Sequence, residues 1–283
     1  MKDESFFKNK TIGIIGGLGV MGVWLRRYFE KKGFKVIVSD INTELTNEML
    51  AEESDIVILS TPMEAALEVV ESIGCLLADD KLLMDICSLK TDIVKKMLES
   101  TNCEVLGCHP MFGQYTEDLN GQNIIICKGR GNSYTDVFKN IFEKDGAVVT
   151  ISTPEIHDRY MSIVQGLTHL LTIATGEFLK AQNIAPEAIL KFSTPVFRVN
   201  LALVGRLFGL DLSLYKDLVS RNKETKEMTN TFNSCVEKSL KVFTDKTEEE
   251  KMEFLNSIKD FMGDSSRSAL KETNALFNFL YKC

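Results

Sequence analysis

A β-branched apolar run, Thr11–Gly16, leads straight into Gly17-Leu18-Gly19-Val20-Met21-Gly22. An amphipathic stretch of helical period follows, roughly Val20–Lys32, and Gly33 closes it. A second apolar run, Lys35–Ser39, ends on Asp40, twenty-three positions after Gly17. Three glycines at this spacing are a weak signal alone. A strand before them, a helix behind them and an acidic residue closing the next strand make them a dinucleotide fingerprint. Each residue has a physical task. Gly17 is expected to allow the tight turn, Gly19 to let the backbone approach a pyrophosphate lying on the helix N-terminus, and Gly22 to let helix pack on strand. Leu18, Val20 and Met21 complete the loop, and Asp40 is placed to accept from the ribose hydroxyls of NAD.

Units of the same kind continue. Asp55–Ser60 reads as a strand meeting Thr61-Pro62, which borders the same cofactor site. Leu82–Ile86 is a strand, and Cys87-Ser88-Leu89-Lys90 leads into a helix at Thr91–Glu99. Cys103–Cys108, Asn123–Lys128 and Ala147–Ile151 are further strands, with a helix at Tyr134–Lys144 between the last two. This alternation implies an α/β fold with a Rossmann-type, doubly wound, largely parallel sheet over residues 1–153. After Pro154 the strand signal stops. One long apolar helix is expected to about Gln182, carrying Asp158, Gln165 and His169 within a narrow angular range. Pro195 opens another helix bearing Arg198 and Arg206, and later helices follow, so residues 154–283 read as an all-α domain.

His109 follows the apolar strand Cys103–Cys108 and precedes Pro110, which is expected to stop ladder pairing. That places it facing the crevice beyond the strand carboxyl ends, where open α/β sheets bind ligands. Ser88 ends a neighbouring strand and is a candidate both for a hydrogen bond to the His109 ring or a substrate hydroxyl and for capping the helix at Thr91. Asp85 and His157 read as structural residues, and Lys90 is either a surface charge or a ligand contact. The net charge of -7 argues against a general nucleic-acid binder, so an anionic ligand needs a local arginine or lysine. Seven cysteines without a CxxC spacing imply reduced thiols in a cytoplasmic protein; Cys103, Cys108 and His109 are too few for a metal site, so no metal is expected. No apolar run reaches spanning length, and no membrane association is expected.

These residues carry a resemblance. Gly-Gly-Leu-Gly-Val-Met-Gly (16–22), Ser-Thr-Pro (60–62), Asp-Ile-Cys-Ser-Leu-Lys (85–90) and Gly-Cys-His-Pro-Met-Phe-Gly (107–113) resemble the prephenate dehydrogenase family of tyrosine biosynthesis. So do His157-Asp158, Val-Gln-Gly-Leu-Thr-His (164–169) and Phe-Arg-Val-Asn-Leu-Ala-Leu-Val-Gly-Arg-Leu-Phe (197–208), with Asp211 and Tyr215 in register. The likeness is to the dehydrogenase part, without a fused chorismate mutase domain. Gly166 departs from it, since some members carry a histidine there. The resemblance implies NAD-dependent oxidative decarboxylation of prephenate to 4-hydroxyphenylpyruvate, with His109 accepting from the substrate hydroxyl and Ser88 orienting it. Arg206 falls where the family binds carboxylate, Arg198 is a second candidate, and His169 matches a histidine of the substrate pocket. The helical domain is expected to form a homodimer. The same scaffold also serves arogenate, another Rossmann dehydrogenase is a remoter reading, and a non-catalytic NAD-sensing regulator is the alternative of another class.

Overall fold

A computed structural model of the chain describes residues 9–280. The chain packs as two compact units, dividing between Met161 and Ser162. In the first, β1 (Thr11–Ile15), β2 (Lys35–Ser39), β3 (Ile56–Leu59), β4 (Leu82–Asp85), β5 (Glu104–Pro110), β6 (Asn123–Arg130) and β7 (Val148–Ser152) form one sheet in the order β2-β1-β3-β4-β5-β6-β7. The first five strands are parallel; β6 runs antiparallel to β5, and β7 parallel to β6.

Near-continuous apolar strands such as Ile-Val-Ile-Leu of β3 require cover on both faces, and they receive it. On one side Ile12, Ile14, Ile58 and Leu106 pack with α1 (Val20–Lys31) and α5 (Ser133–Lys144), through Phe29 and Phe138. On the other, Val57, Leu59, Leu83 and Val105 pack with α2 (Asn47–Glu53), α3 (Met63–Ile73) and α4 (Thr91–Ser100). The helices change face across β1 and β3, so the loops after those strands diverge and open a crevice at the carboxyl edge. α6 (Pro154–Met161) closes this unit.

The second unit is helical throughout its described residues: α7 (Thr168–Ala181), α8 (Pro186–Ile189), α9 (Pro195–Phe208), α10 (Leu212–Ser220), α11 (Thr225–Asp245), α12 (Glu248–Met262) and α13 (Ser265–Leu280). The long helix expected from Pro154 is not one regular α-helix. A π-helical stretch, Ser162–Leu167, separates α6 from α7. Its wider turn departs from the 3.6-residue period on which the expected alignment of Asp158, Gln165 and His169 rested. Gly166 lies in this stretch against α11: a Cβ there would meet Thr225 Oγ1 at 2.3 Å, which leaves no room for a larger side chain.

Candidate active site

Three segments meet at the carboxyl edge of the parallel strands. The first is the glycine loop. Its tight turn is made at Gly16, with φ 77, rather than at Gly17 as expected. Gly17 lacks a side chain for another reason: a Cβ would lie 2.5 Å from Cβ of Val38 on β2. At Gly22 a Cβ would fall 2.2 Å from the Gly16 carbonyl, so this glycine does let helix close on strand. Gly19 is the N-cap of α1 and supplies no side-chain cap, and the first turn contains no acidic residue. That helix end is therefore electropositive, with amide donors suited to an anion. Asp40, just after β2, accepts from the Leu18 amide (2.9 Å) and from the Ile41 amide (2.8 Å). The second loop, Ser60-Thr61-Pro62, abuts the turn, since a Cβ on Gly16 would meet the Ser60 carbonyl at 2.6 Å. The hydroxyls of Ser60 and Thr61 are buried without a partner among the described residues, which suits polar atoms awaiting a ligand. Uncapped helix end, glycine cradle, carboxylate and orphaned hydroxyls all fit a dinucleotide.

The third segment is the end of β5, which holds His109. Contrary to expectation, Pro110 does not end the ladder: β5 continues through it, with His109 opposite Ile125 and Pro110 opposite Ile124 of β6. Pairing with β4 stops at Asp85 opposite Gly107. His109 thus projects two residues beyond β4 while β6 still supports it, and it is 4% exposed.

Lys90 is no surface charge. It is fully buried, paired with Asp85 and donating to the Cys108 carbonyl at 2.8 Å. Gly107 makes room for it: a Cβ there would lie 3.0 Å from Lys90 Cδ. Burial raises the Asp85 carboxyl, and the Lys90 ammonium opposes that rise. Burial also pushes the thiols of Cys87, Cys108 and Cys127 up to about 12, which leaves them neutral.

Ser88 is half-buried beyond β4 and has no hydrogen bond to the His109 ring. Nor does it cap α4. Asp158 of α6 does so from across the fold, accepting from the amides of Lys90 and Thr91 at 2.8 Å each. Asp158 also bonds His157 Nδ1 at 2.7 Å, and His157 Nε2 lies 2.8 Å from His109 Nδ1. Sequence reasoning missed this chain of His109, His157 and Asp158. The available signal was the His-Asp pair in the first turns of a helix opened by Pro154. Burial alone would raise Asp158, but hydrogen bonds from His157, Thr91 and Lys90 outweigh it and hold the carboxyl below its usual value. His109 is driven well below the ordinary histidine value, first by burial and then by the Lys90 cation, so it is a neutral base at physiological pH.

In the helical unit, Arg198 and Arg206 lie on the exposed side of α9. Arg198 lines an apolar cleft with Ile173, Gly176, Leu179, Ala202 and Phe208. His169 on α7 packs edge-on against Tyr215 of α10, with ring centroids 5.0 Å apart, and burial lowers its pKa.

A glycine-loop nucleotide domain carrying a buried neutral histidine, joined to a helical unit, defines the class. Residues 27–151 match the family described as "Prephenate dehydrogenase, nucleotide-binding domain", and residues 153–258 match "Prephenate dehydrogenase, dimerization domain". The chain belongs to the prephenate dehydrogenase family. It is 34% identical to the "Probable arogenate/prephenate dehydrogenase" of Methanocaldococcus jannaschii, over 95% of this chain and 65% of that one. It therefore spans just under two thirds of that relative's length. It is 30% identical to the "T-protein" of Haemophilus influenzae, over 97% of this chain and 74% of that protein. The crystal structure of prephenate dehydrogenase from A. aeolicus, in complex with hydroxyphenyl propionate and NAD+, superposes with a TM-score of 0.72 at 22% identity, covering 88% of this chain and 96% of that one.

Proposed function

We propose that this chain catalyses the NAD-dependent oxidative decarboxylation of prephenate to 4-hydroxyphenylpyruvate, as an enzyme whose base is His109. The observation that carries the reading is a neutral histidine, buried at the carboxyl edge of the sheet that also bears the dinucleotide loop. NAD+, when bound, supplies the hydride acceptor. Hydride can leave C4 of prephenate only as its hydroxyl gives up a proton, and His109 takes that proton. Carbon dioxide then departs because the ring becomes aromatic, which calls for neither a metal nor a covalent nucleophile.

Residues 16–22 bind the pyrophosphate, Asp40 binds the ribose, and Thr61-Pro62 border the nicotinamide half. Ser88 orients the substrate hydroxyl. Arg206 is the fork for a substrate carboxylate, with His169 and Arg198 completing the pocket. In this reading residues 1–153 hold the cofactor and residues 154–283 hold substrate and the second subunit of a homodimer. The name of the Methanocaldococcus jannaschii relative favours arogenate as the second reading, because the ring chemistry is identical and only the side-chain amine differs.

Following nicotinamide absorbance with prephenate and, separately, with arogenate tests both. Turnover of prephenate with the higher kcat/KM is expected. A preference for arogenate shifts the assignment to the second reading, and turnover of neither sinks the enzyme reading in favour of a cofactor sensor.

A further inference from the structure

The protons along the chain behind His109 are fixed by elimination. Asp158 is held ionised by the hydrogen bonds it accepts and can only accept, so His157 Nδ1 carries a hydrogen toward it. The remaining nitrogen of His157, Nε2, is then the one placed to accept from His109. The 2.8 Å contact from that nitrogen to His109 Nδ1 requires the hydrogen to sit on His109 Nδ1. The unprotonated nitrogen of His109 is therefore Nε2, the one that meets a substrate hydroxyl.

This arrangement raises a difficulty for the reaction. An imidazolium at His109 would be buried beside the Lys90 ammonium, and both burial and that cation oppose it. Of the charges acting on the ring, Asp158 alone favours the imidazolium. Asp85 of β4 is engaged by Lys90, and the thiols of Cys108 on β5 and Cys127 on β6 are neutral. On α6, Asp158 is one ring further away, behind His157.

We propose that His157, acting through His109, holds the substrate's hydroxyl proton during hydride transfer, until the aromatic product takes it back. As the substrate O–H bond breaks, its proton forms a bond to His109 Nε2. In the same step the His109 Nδ1–H bond breaks and that proton forms a bond to His157 Nε2. The O–H electron pair becomes the second bond of the new carbonyl while the C4 hydride passes to the nicotinamide. His109 ends neutral with its proton on Nε2, and the positive charge rests on His157 against the Asp158 carboxylate. His157 is 1% exposed and lines a cleft with Lys128, Ser152 and Tyr160. When carbon dioxide departs and the ring becomes aromatic, the carbonyl oxygen becomes a phenolate, and the proton returns to it from His157 through His109, so no proton is released overall. The inference rests on the reading of His109 as the base.

The test uses the full chain, with His157→Gln as the main variant. Glutamine places an amide oxygen near the position of Nε2, so it still fixes the His109 tautomer but cannot hold the proton. A roughly 10–100-fold fall in kcat is expected, with KM for prephenate within about threefold. Rates in mixtures of light and heavy water should curve with deuterium fraction in the parent, where two protons move, and become linear in the variant. Unfolding temperature and NADH binding check that the variant is intact.

The chain has three histidines, so nitrogen-15 labelling of histidine resolves each imidazole in the parent without any variant. Both His109 and His157 should carry their hydrogen on Nδ1. Parent-like kcat in His157→Gln, linear isotope dependence in the parent, or a hydrogen on Nε2 of either ring each overturns the proposal. If His109→Asn retains parent kcat, the reading of His109 as the base falls. If only His109→Asn is crippled, the His157 inference falls alone.

Discussion

The two units treat their apolar side chains in opposite ways. In the α/β unit Ile12, Phe29, Ile58 and Phe138 are all 0% exposed, and two apolar cores flank the sheet. In the helical unit Phe192 and Phe261 are each 88% exposed and Leu240 is 64% exposed, in a single chain. Both units are rich in apolar residues at regular periods, so the sequence patterns alone look equally globular. The difference is where the burying partner lies. A doubly wound sheet covers its own faces with its own crossover helices, whereas these helices leave apolar stripes that only another surface can cover. The family description of this region as a dimerisation domain fits that surplus.

The comparison is broken most severely by removing the proposed base of the self-contained unit. His109→Asn is expected to lower kcat by roughly 10²–10⁴ while KM for prephenate stays within a few-fold, because the proton is taken in the transition state. Near-parent kcat would make His109 a strand residue and nothing more. Next in size is the core beneath it. Phe138→Ala should cost about 3–5 kcal/mol in urea unfolding, and the loss should not depend on protein concentration. In the helical unit concentration is the variable that matters: roughly a hundredfold dilution should withdraw about 2.7 kcal/mol of dimer-linked stability and lower Tm. A Tm indifferent to dilution, with sedimentation at the single-chain mass of 31.8 kDa, would remove the contrast between the units.

Legibility followed the same division between what is local and what is not. The glycine loop, Asp40, the strand–helix alternation and the His109 strand were readable because each is a short pattern whose meaning lies within a few residues. Even there, the turn fell on Gly16 instead of Gly17, because which glycine adopts positive φ depends on Val38 and Ser60 packing beside it. What the pattern could not show was tertiary. Lys90 is buried because Gly107 vacates space for it on a neighbouring strand. Ser88 loses the capping role to Asp158, which is 68 positions from Lys90. His157 meets His109 across 48 positions, and no local period announces such a pair.

Arg206 tests whether the exposed face of α9 serves chemistry as well as assembly. Arg206→Ala should raise KM for prephenate several-fold to several-hundred-fold, about 1–3 kcal/mol for a charge-assisted contact, with NAD+ affinity unchanged. A parent KM would separate α9 from the substrate altogether and leave the helical unit a purely associative role.

The smallest effect is the most specific to the self-contained unit, because it concerns how that unit closes on itself. Asp158 ties α6 to the start of α4 through two backbone amides, and its side chain is 14% exposed. Its carboxyl is depressed in the folded state, so the folded protein binds its proton less readily than the unfolded chain does. Such a group adds stability that is complete above the unfolded value, about 3.9, and is lost as pH falls through the lower folded value. Asp158→Ala should therefore cost about 1 kcal/mol at pH 7, the worth of a helix cap, when measured by urea unfolding. The same comparison in strongly acidic solution should show the gap shrinking, because the parent has then protonated the group that the variant lacks. A gap that stays constant into acid would mean that Asp158 contributes packing rather than charge. It would also mean that α6 is held to the sheet by its apolar contacts and not by the carboxylate that anchors the two histidines.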